Sequence, residues 1–186
     1  QLRMWSGDIK NGLQDPKASQ KRWEEALEIN PKAFGAYINL AFLHFPVDNT
    51  FVMLATEDRD LNVAIDYLTK GSKIYPESSR WSRFLGNVYR AQGDLEKALA
   101  AYEESIVLIE KNEGKKPGPY GNSLLMVGHV NTFQGDYDKA REAYDQGISV
   151  SDNGWKVGMG NLKSHTYMYQ KDFASAVRYC LLYTSP

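Results

Sequence analysis

Three histidines, a single cysteine and one short run of arginines are the side chains of this 186-residue chain whose types could do chemistry. His129 and His165 would make a metal-binding or proton-sensing pair if the fold brought them together, because neutral imidazole ligates metals and titrates near neutrality. No cysteine or spaced carboxylate completes a ligand set around them, so neither a metal nor a cofactor is expected. His44 lies in the apolar stretch "INLAFLHF" and reads as a core or edge histidine. The sequence has no phosphate loop, nucleophile elbow or zinc-helix signature, which leaves no catalytic residue to name. Arg80, Arg83 and Arg90 suit a different task, since a guanidinium grips a carboxylate through two parallel hydrogen bonds. The plainer alternative for them is a solvated helix face.

Such side chains need a scaffold, and composition bounds it. With 42% hydrophobic and 24% charged residues, the chain can build a packed core. Its 22 Lys and Arg offset 23 Asp and Glu to leave a formal net charge of −1, so no global field draws in nucleic acid or an anionic membrane. The apolar runs "AYINLAFLHF" and "SIVLI" fall short of the roughly 18–20 residues that cross a bilayer, so no membrane insertion is expected. Nothing near Gln1 has the zones of a signal peptide, and no compartment is assigned. Trp23, Trp81 and Trp155 read as interhelix packing rather than as a platform for stacking bases.

The organising signal is a repeat. "GDLEKALAAYEESI" (93–106) returns as "GDYDKAREAYDQGI" (135–148) with seven of fourteen positions identical. Upstream of the first copy, Trp81, Phe84, Leu85, Val88 and Tyr89 recur at helical spacing on one face. Gly93 can take the left-handed conformation that ends this helix, and Asp94 can cap the next. The second helix turns Leu95, Ala98, Leu99, Tyr102 and Ile106 inward, with Ala98 keeping the pair close. Leu85, Gly86, Tyr89, Ala98, Tyr102 and Ser105, then Val127, Gly128, Gly135, Ala140, Tyr144 and Gly147, make the chain resemble the tetratricopeptide repeat family. Tyr37, Leu40, Ala41, Ala64, Leu68, Gly71 and Pro76 fit a unit upstream, and Trp23, Ala26 and Pro31 a partial first one. Tyr167, Phe173 and Ala176 fit a last unit that has Lys171 where the turn glycine belongs. Further departures are Ser82 in place of the preferred tryptophan and Asn131 in place of an aromatic.

The expected fold is therefore all-α, a right-handed superhelical solenoid of antiparallel helix pairs spanning 1–179. Its units lie at about 1–31, 34–76, 79–112, 121–152 and 155–179. Two stretches break the period. "PVDNTFVMLATEDR" puts Phe51, Val52, Met53 and Leu54 in a long turn, either a lid or, preferably, a plug on the solenoid's edge. "EKNEGKKPGPYG" reads as a solvated connection after an extended helix. The last seven residues, Cys180–Pro186, resemble translated sequencing adapter, so 180–186 is read as a non-native tail and Cys180 as foreign.

The resemblance implies a groove lined by the first helix of each pair. Its expected lining is Phe42 and Phe45 at an aromatic end, Arg80, Arg83, Asn87 and Arg90 in the middle, and Asn122, His129, Phe133, Asn161 and His165 beyond. That mixture suits a peptide or partner helix, with arginines on carboxylates, asparagines on backbone amides and aromatics on apolar side chains. The family's carboxylate clamp is matched only in part. Arg83 and Asn87 fit it, but Met126, Gly158 and Leu162 stand where it needs Asn and basic residues, so no recognition of a chaperone tail is expected. The expected function is a non-catalytic scaffold for a protein or peptide partner, not an enzyme and not a nucleic-acid binder. The alternative is a regulatory or substrate-presenting arm of a longer enzyme; self-association through uncapped ends is a third reading.

Overall fold

The computed structural model describes residues 15–45, 58–112, 114–115 and 118–184. The long turn with Phe51 to Leu54 lies outside them. The chain divides into two compact units, Gln1–Pro76 and Glu77–Pro186. The first holds α1 (Pro16–Ile29), α2 (Phe34–His44) and α3 (Leu61–Ile74). The second holds α4 (Ser79–Gln92), α5 (Leu95–Asn112), α6 (Pro119–Gln134), α7 (Tyr137–Val150), α8 (Asn153–Tyr169) and α9 (Phe173–Thr184). No strand occurs among the described residues. The fold is all-α, and within each unit helices pack on their chain neighbours, among them α2 on α3, α4 on α5, α6 on α7 and α8 on α9.

In the first unit, Asp15 starts α1 by accepting from the amides of Lys17 and Ala18, with Pro16 in the first turn. Trp23 and Leu27 of α1 pack on the buried Leu40 and Leu43 of α2, together with Tyr67 of α3. Tyr67 donates to Glu24 Oε1 at 3.2 Å, tying α3 to α1. Burial, reinforced by that carboxylate, pushes its phenol up to about 12. His44 is a core residue, as its surroundings imply. Its Nδ1 accepts from the Asp60 amide at 3.2 Å, so the ring's proton sits on Nε2.

The second unit repeats one turn three times. Gly93 and Gly135 lie at φ 81° and 83°, and Lys171 takes the same left-handed turn at φ 62°. In each case the following aspartate amide, of Asp94, Asp136 or Asp172, donates back to the carbonyl of Tyr89, Asn131 or Tyr167. Asp94 then caps α5 through the Lys97 amide at 3.1 Å, and Asp172 caps α9 through the Ser175 amide at 3.1 Å. Asp136 makes no such cap on α7 and pairs with Lys139 instead.

Between paired helices, a glycine on the first faces a buried tyrosine on the second. A Cβ on Gly86 would sit 2.6 Å from Tyr102 Cε1, and one on Gly128 would sit 2.3 Å from Tyr144 Cε1. Neither ring can retreat, because both are buried to within 1%. Neighbouring pairs join through small polar contacts as well as apolar ones: Ser105 of α5 meets Ser123 of α6 at 3.1 Å with both side chains fully buried. The last pair differs, with Tyr183 occupying the space beside Gly160 and Ser164 donating to the Ala176 carbonyl at 2.9 Å.

Two substitutions separate these constraints. Gly128→Ala is expected to cost about 1–3 kcal/mol through overpacking against Tyr144. Lys171→Gly is expected to gain about 1 kcal/mol by relieving a left-handed residue that carries a Cβ. Urea unfolding of both variants against the parent checks the opposite signs.

Candidate functional site

The face formed by α4, α6 and α8 carries most of the expected groove residues. Arg80 is exposed near the start of α4, while Arg83, Asn87 and Arg90 are half-buried along it. Asn87 is already engaged, its Oδ1 accepting from the Tyr102 hydroxyl at 2.7 Å. Burial raises the Tyr102 phenol, and the nearby Arg90 and Arg83 oppose that rise. Arg90 also lies close enough to His129 of α6 to act on it. Burial and then the Arg90 guanidinium hold the His129 imidazole below its usual range.

His129 meets the Tyr144 ring edge-on with centroids 6.2 Å apart, and its Nε2 is buried without a hydrogen-bond partner. Thr132 donates to the Gly128 carbonyl at 2.8 Å, which leaves its oxygen to accept from the Tyr144 hydroxyl at 3.2 Å. Around these groups α6, α7 and α8 form an open pocket of about 450 Å³. His129, Thr132 and Phe133 form its α6 wall, Leu162, His165 and Tyr169 its α8 wall, and Tyr137 and Tyr144 the α7 side. Tyr137 and Tyr169 stack across it at 5.9 Å.

Three of the expected residues, His129, Phe133 and His165, thus share one pocket. Asn122 and Asn161 are half-buried on α6 and α8, and Asn161 Oδ1 is buried without a partner. Phe42, 7% exposed, is packed in the first unit, and Phe45 is half-buried just past α2. Tyr137 and Leu162 are walls that groove spacing alone does not reveal, because one belongs to a second helix and the other lies between groove positions. A further correction concerns Trp155. Trp81 is buried and Trp23 packs in the first unit, but Trp155 is 40% exposed. It lines a second cavity of about 480 Å³ that shares Leu162 as a wall and includes Leu125, Gly158 and Met159. Spacing could not distinguish a tryptophan under the next helix from one at the edge of a cavity.

No group of three or more His, Cys, Asp or Glu able to hold a metal occurs among the described residues. No described helix is long and apolar enough to cross a membrane.

The imidazoles set an acid limit on stability. Above 6.5, the ordinary histidine value, His129 is neutral whether folded or not. As pH falls below that value the unfolded chain takes up the proton first, so stability is lost as pH drops toward and through the folded value. His44, held down mainly by burial, adds to the same trend in the first unit. Thermal midpoints measured from roughly pH 7 to 5 should fall, and fall less steeply in His129→Gln. An unchanged slope in that variant would contradict the assignment.

Residues 78–153 match the family model for the tetratricopeptide repeat. No curated protein matches the sequence. Among solved structures, the chain is similar to the crystal structure of MamA at 18% identity and a TM-score of 0.68, over 96% of this chain and 88% of that one. It is similar to BtubC (BKLC) from P. vanneervenii at 16% identity and a TM-score of 0.70, over 96% and 72% respectively. A third likeness is to the APC/C hetero-tetramer Cut9-Hcn1, at 19% identity and a TM-score of 0.66 over 87% of this chain and 29% of that one. At these identities the likeness is one of fold, a solenoid of helix pairs.

Proposed function

We propose that this chain, whose residues 78–153 match the tetratricopeptide repeat, is a non-catalytic scaffold that binds a peptide or partner segment along the α4, α6 and α8 face. The observation that supports this reading most is the 450 Å³ pocket joining His129, Phe133 and His165, with Arg90 beside it. Pockets that anchor a ligand are mostly apolar with a few convergent polar groups, and this one has aromatic walls, two imidazoles and a neighbouring guanidinium. An apolar side chain fills the pocket, and an adjacent carboxylate faces Arg83 and Arg90. Cations are disfavoured there, since the charged group acting on His129 is itself positive. Neither nucleic acid nor a chaperone tail is among the proposed partners.

Asn87 takes a lesser part in this reading than Arg83 and Arg90, because removing its side chain would strip the buried Tyr102 hydroxyl of its acceptor. Panning a random displayed peptide library against the purified chain gives the test. Enriched peptides should carry an aromatic or aliphatic residue next to an acidic one. They should lose about tenfold in affinity to Arg90→Ala while circular dichroism is unchanged. Peptides that bind Arg90→Ala and His165→Ala as tightly as the parent would place the ligand elsewhere.

A further inference from the structure

Asn131 stands at one position of the repeat whose counterparts are Tyr89, 42 residues earlier, and Tyr167, 36 residues later. It is 2% exposed. Its Nδ2 donates to the Val127 carbonyl at 2.9 Å, which fixes the amide's orientation, and its Oδ1 is buried with no partner. That side chain lies in a cleft of about 390 Å³ between α5 and α7, with α6 as the floor. Leu99, Ile106, Leu124 and Val127 make the cleft apolar inside. Glu103, Glu110 and Glu142 line it against a single ammonium, Lys139. Lys139 is turned to Asp136 at 3.2 Å, and Glu110 is held by Tyr120 and Lys115 at 2.7 and 3.2 Å. Among the described residues, Glu103 and Glu142 make no ion pair.

The next cleft along the same unit, between α7 and α9 over α8, has the same construction and is filled by the chain itself. Arg141 pairs with Asp138 of its own helix, lies 4.3 Å from the centre of the Tyr167 ring and donates to Thr166 Oγ1 and Gln170 Oε1 at 3.2 and 2.8 Å. Tyr167 stacks on Tyr179 at 5.1 Å, and the Lys163 ammonium lies over the Tyr179 ring at 4.2 Å while pairing with Asp145. The α5–α7 cleft lacks both parts of that filling. Asn131 replaces the ring, and Leu99 stands where Arg141 does, so the internal guanidinium is missing; Val130 stands where Thr166 does, and the acceptors of this cleft are Asn131 Oδ1 and the carboxylates of Glu103 and Glu142 instead.

We propose that the α5–α7 cleft is a second binding site, independent of the groove above, that takes an arginine-bearing, apolar-flanked segment of a partner protein. The guanidinium is drawn in by Glu103 and Glu142 and donates to Asn131 Oδ1, and its flanking apolar side chains cover Leu99 and Ile106. The neighbouring cleft supports the choice of ligand in one respect: there the chain itself lays a guanidinium against the counterpart of Asn131.

The probe is a fluorescent peptide of alternating arginine and leucine, read by polarisation against the full chain. A peptide of alternating arginine and serine and one of alternating glutamate and leucine serve as comparisons. Binding of the arginine–leucine peptide should fall about tenfold in the double variant E103Q/E142Q, whose changes are isosteric and at the surface. It should also be lost in Asn131→Tyr, which restores the ring and closes the cleft. Thermal melting shows whether Asn131→Tyr folds, and if it does not, E103Q/E142Q decides. Unchanged affinity in E103Q/E142Q would overturn the proposal. So would arginine–serine binding as tight as arginine–leucine, since exposed acids alone would then account for the attraction.

Discussion

A tyrosine ring pressed against helical backbone is the contact on which the second unit's geometry depends. Tyr102 and Tyr144 occupy the volume that a Cβ would need at Gly86 and Gly128, so the paired helices approach more closely than any other residue would permit. A glycine inside a helix sacrifices about 1 kcal/mol relative to alanine. Burying one aromatic side chain returns about 1.5–3 kcal/mol. The exchange is favourable only if the ring stays buried, and both rings do. The contact also reaches the face formed by α4, α6 and α8. Each ring ends in a hydroxyl that meets a first-helix residue, Asn87 for Tyr102 and Thr132 for Tyr144. Core packing therefore fixes the polar positions from which a ligand would be held.

That coupling explains which parts of the molecule could be read from sequence. The repeat of small and large residues encodes the Gly–Tyr contact directly, so helix pairs and turns followed from residue type and spacing. Lys171 shows the limit. Its left-handed backbone is imposed by the Asp172 amide returning to the Tyr167 carbonyl and by the Asp172 cap, and a lysine side chain advertises none of this. His129, Phe133 and His165 could be assigned to one face because they share a helical register. Tyr137 entered their pocket from the second helix, where the repeat pattern marks positions only as core or surface. Trp155 failed for a related reason: its size argued for burial, but burial depends on what packs against it.

Charge is distributed in a way that a formal net charge of −1 conceals. Arginines gather on α4, whereas Glu103, Glu110 and Glu142 line the cleft between α5 and α7. The two surfaces belong to different helices of the same pairs, so one repeat presents opposite electrostatic faces without any imbalance in composition. Lys163 marks the boundary inside the unit. Burial alone would lower its pKa, but the Asp145 carboxylate at 2.6 Å more than offsets this and holds the ammonium charged. A buried cation kept in this way fixes α7 against α8 at one register, since sliding either helix would leave the charge unpaired.

The electrostatics around His129 bear on what kind of site the groove is. A histidine that serves as a general base is oriented by a carboxylate, which stabilises the imidazolium as it forms. His129 has the reverse surroundings: burial and the Arg90 guanidinium both oppose the charged form. A neutral ring edge-on to Tyr144 at the mouth of an aromatic cavity favours contact with apolar and hydrogen-bonding groups over proton transfer. In the proposed function the same guanidinium, which helps keep the imidazole neutral, faces the partner's carboxylate. The interaction on which the proposed recognition draws is thus one that disfavours general-base chemistry at His129.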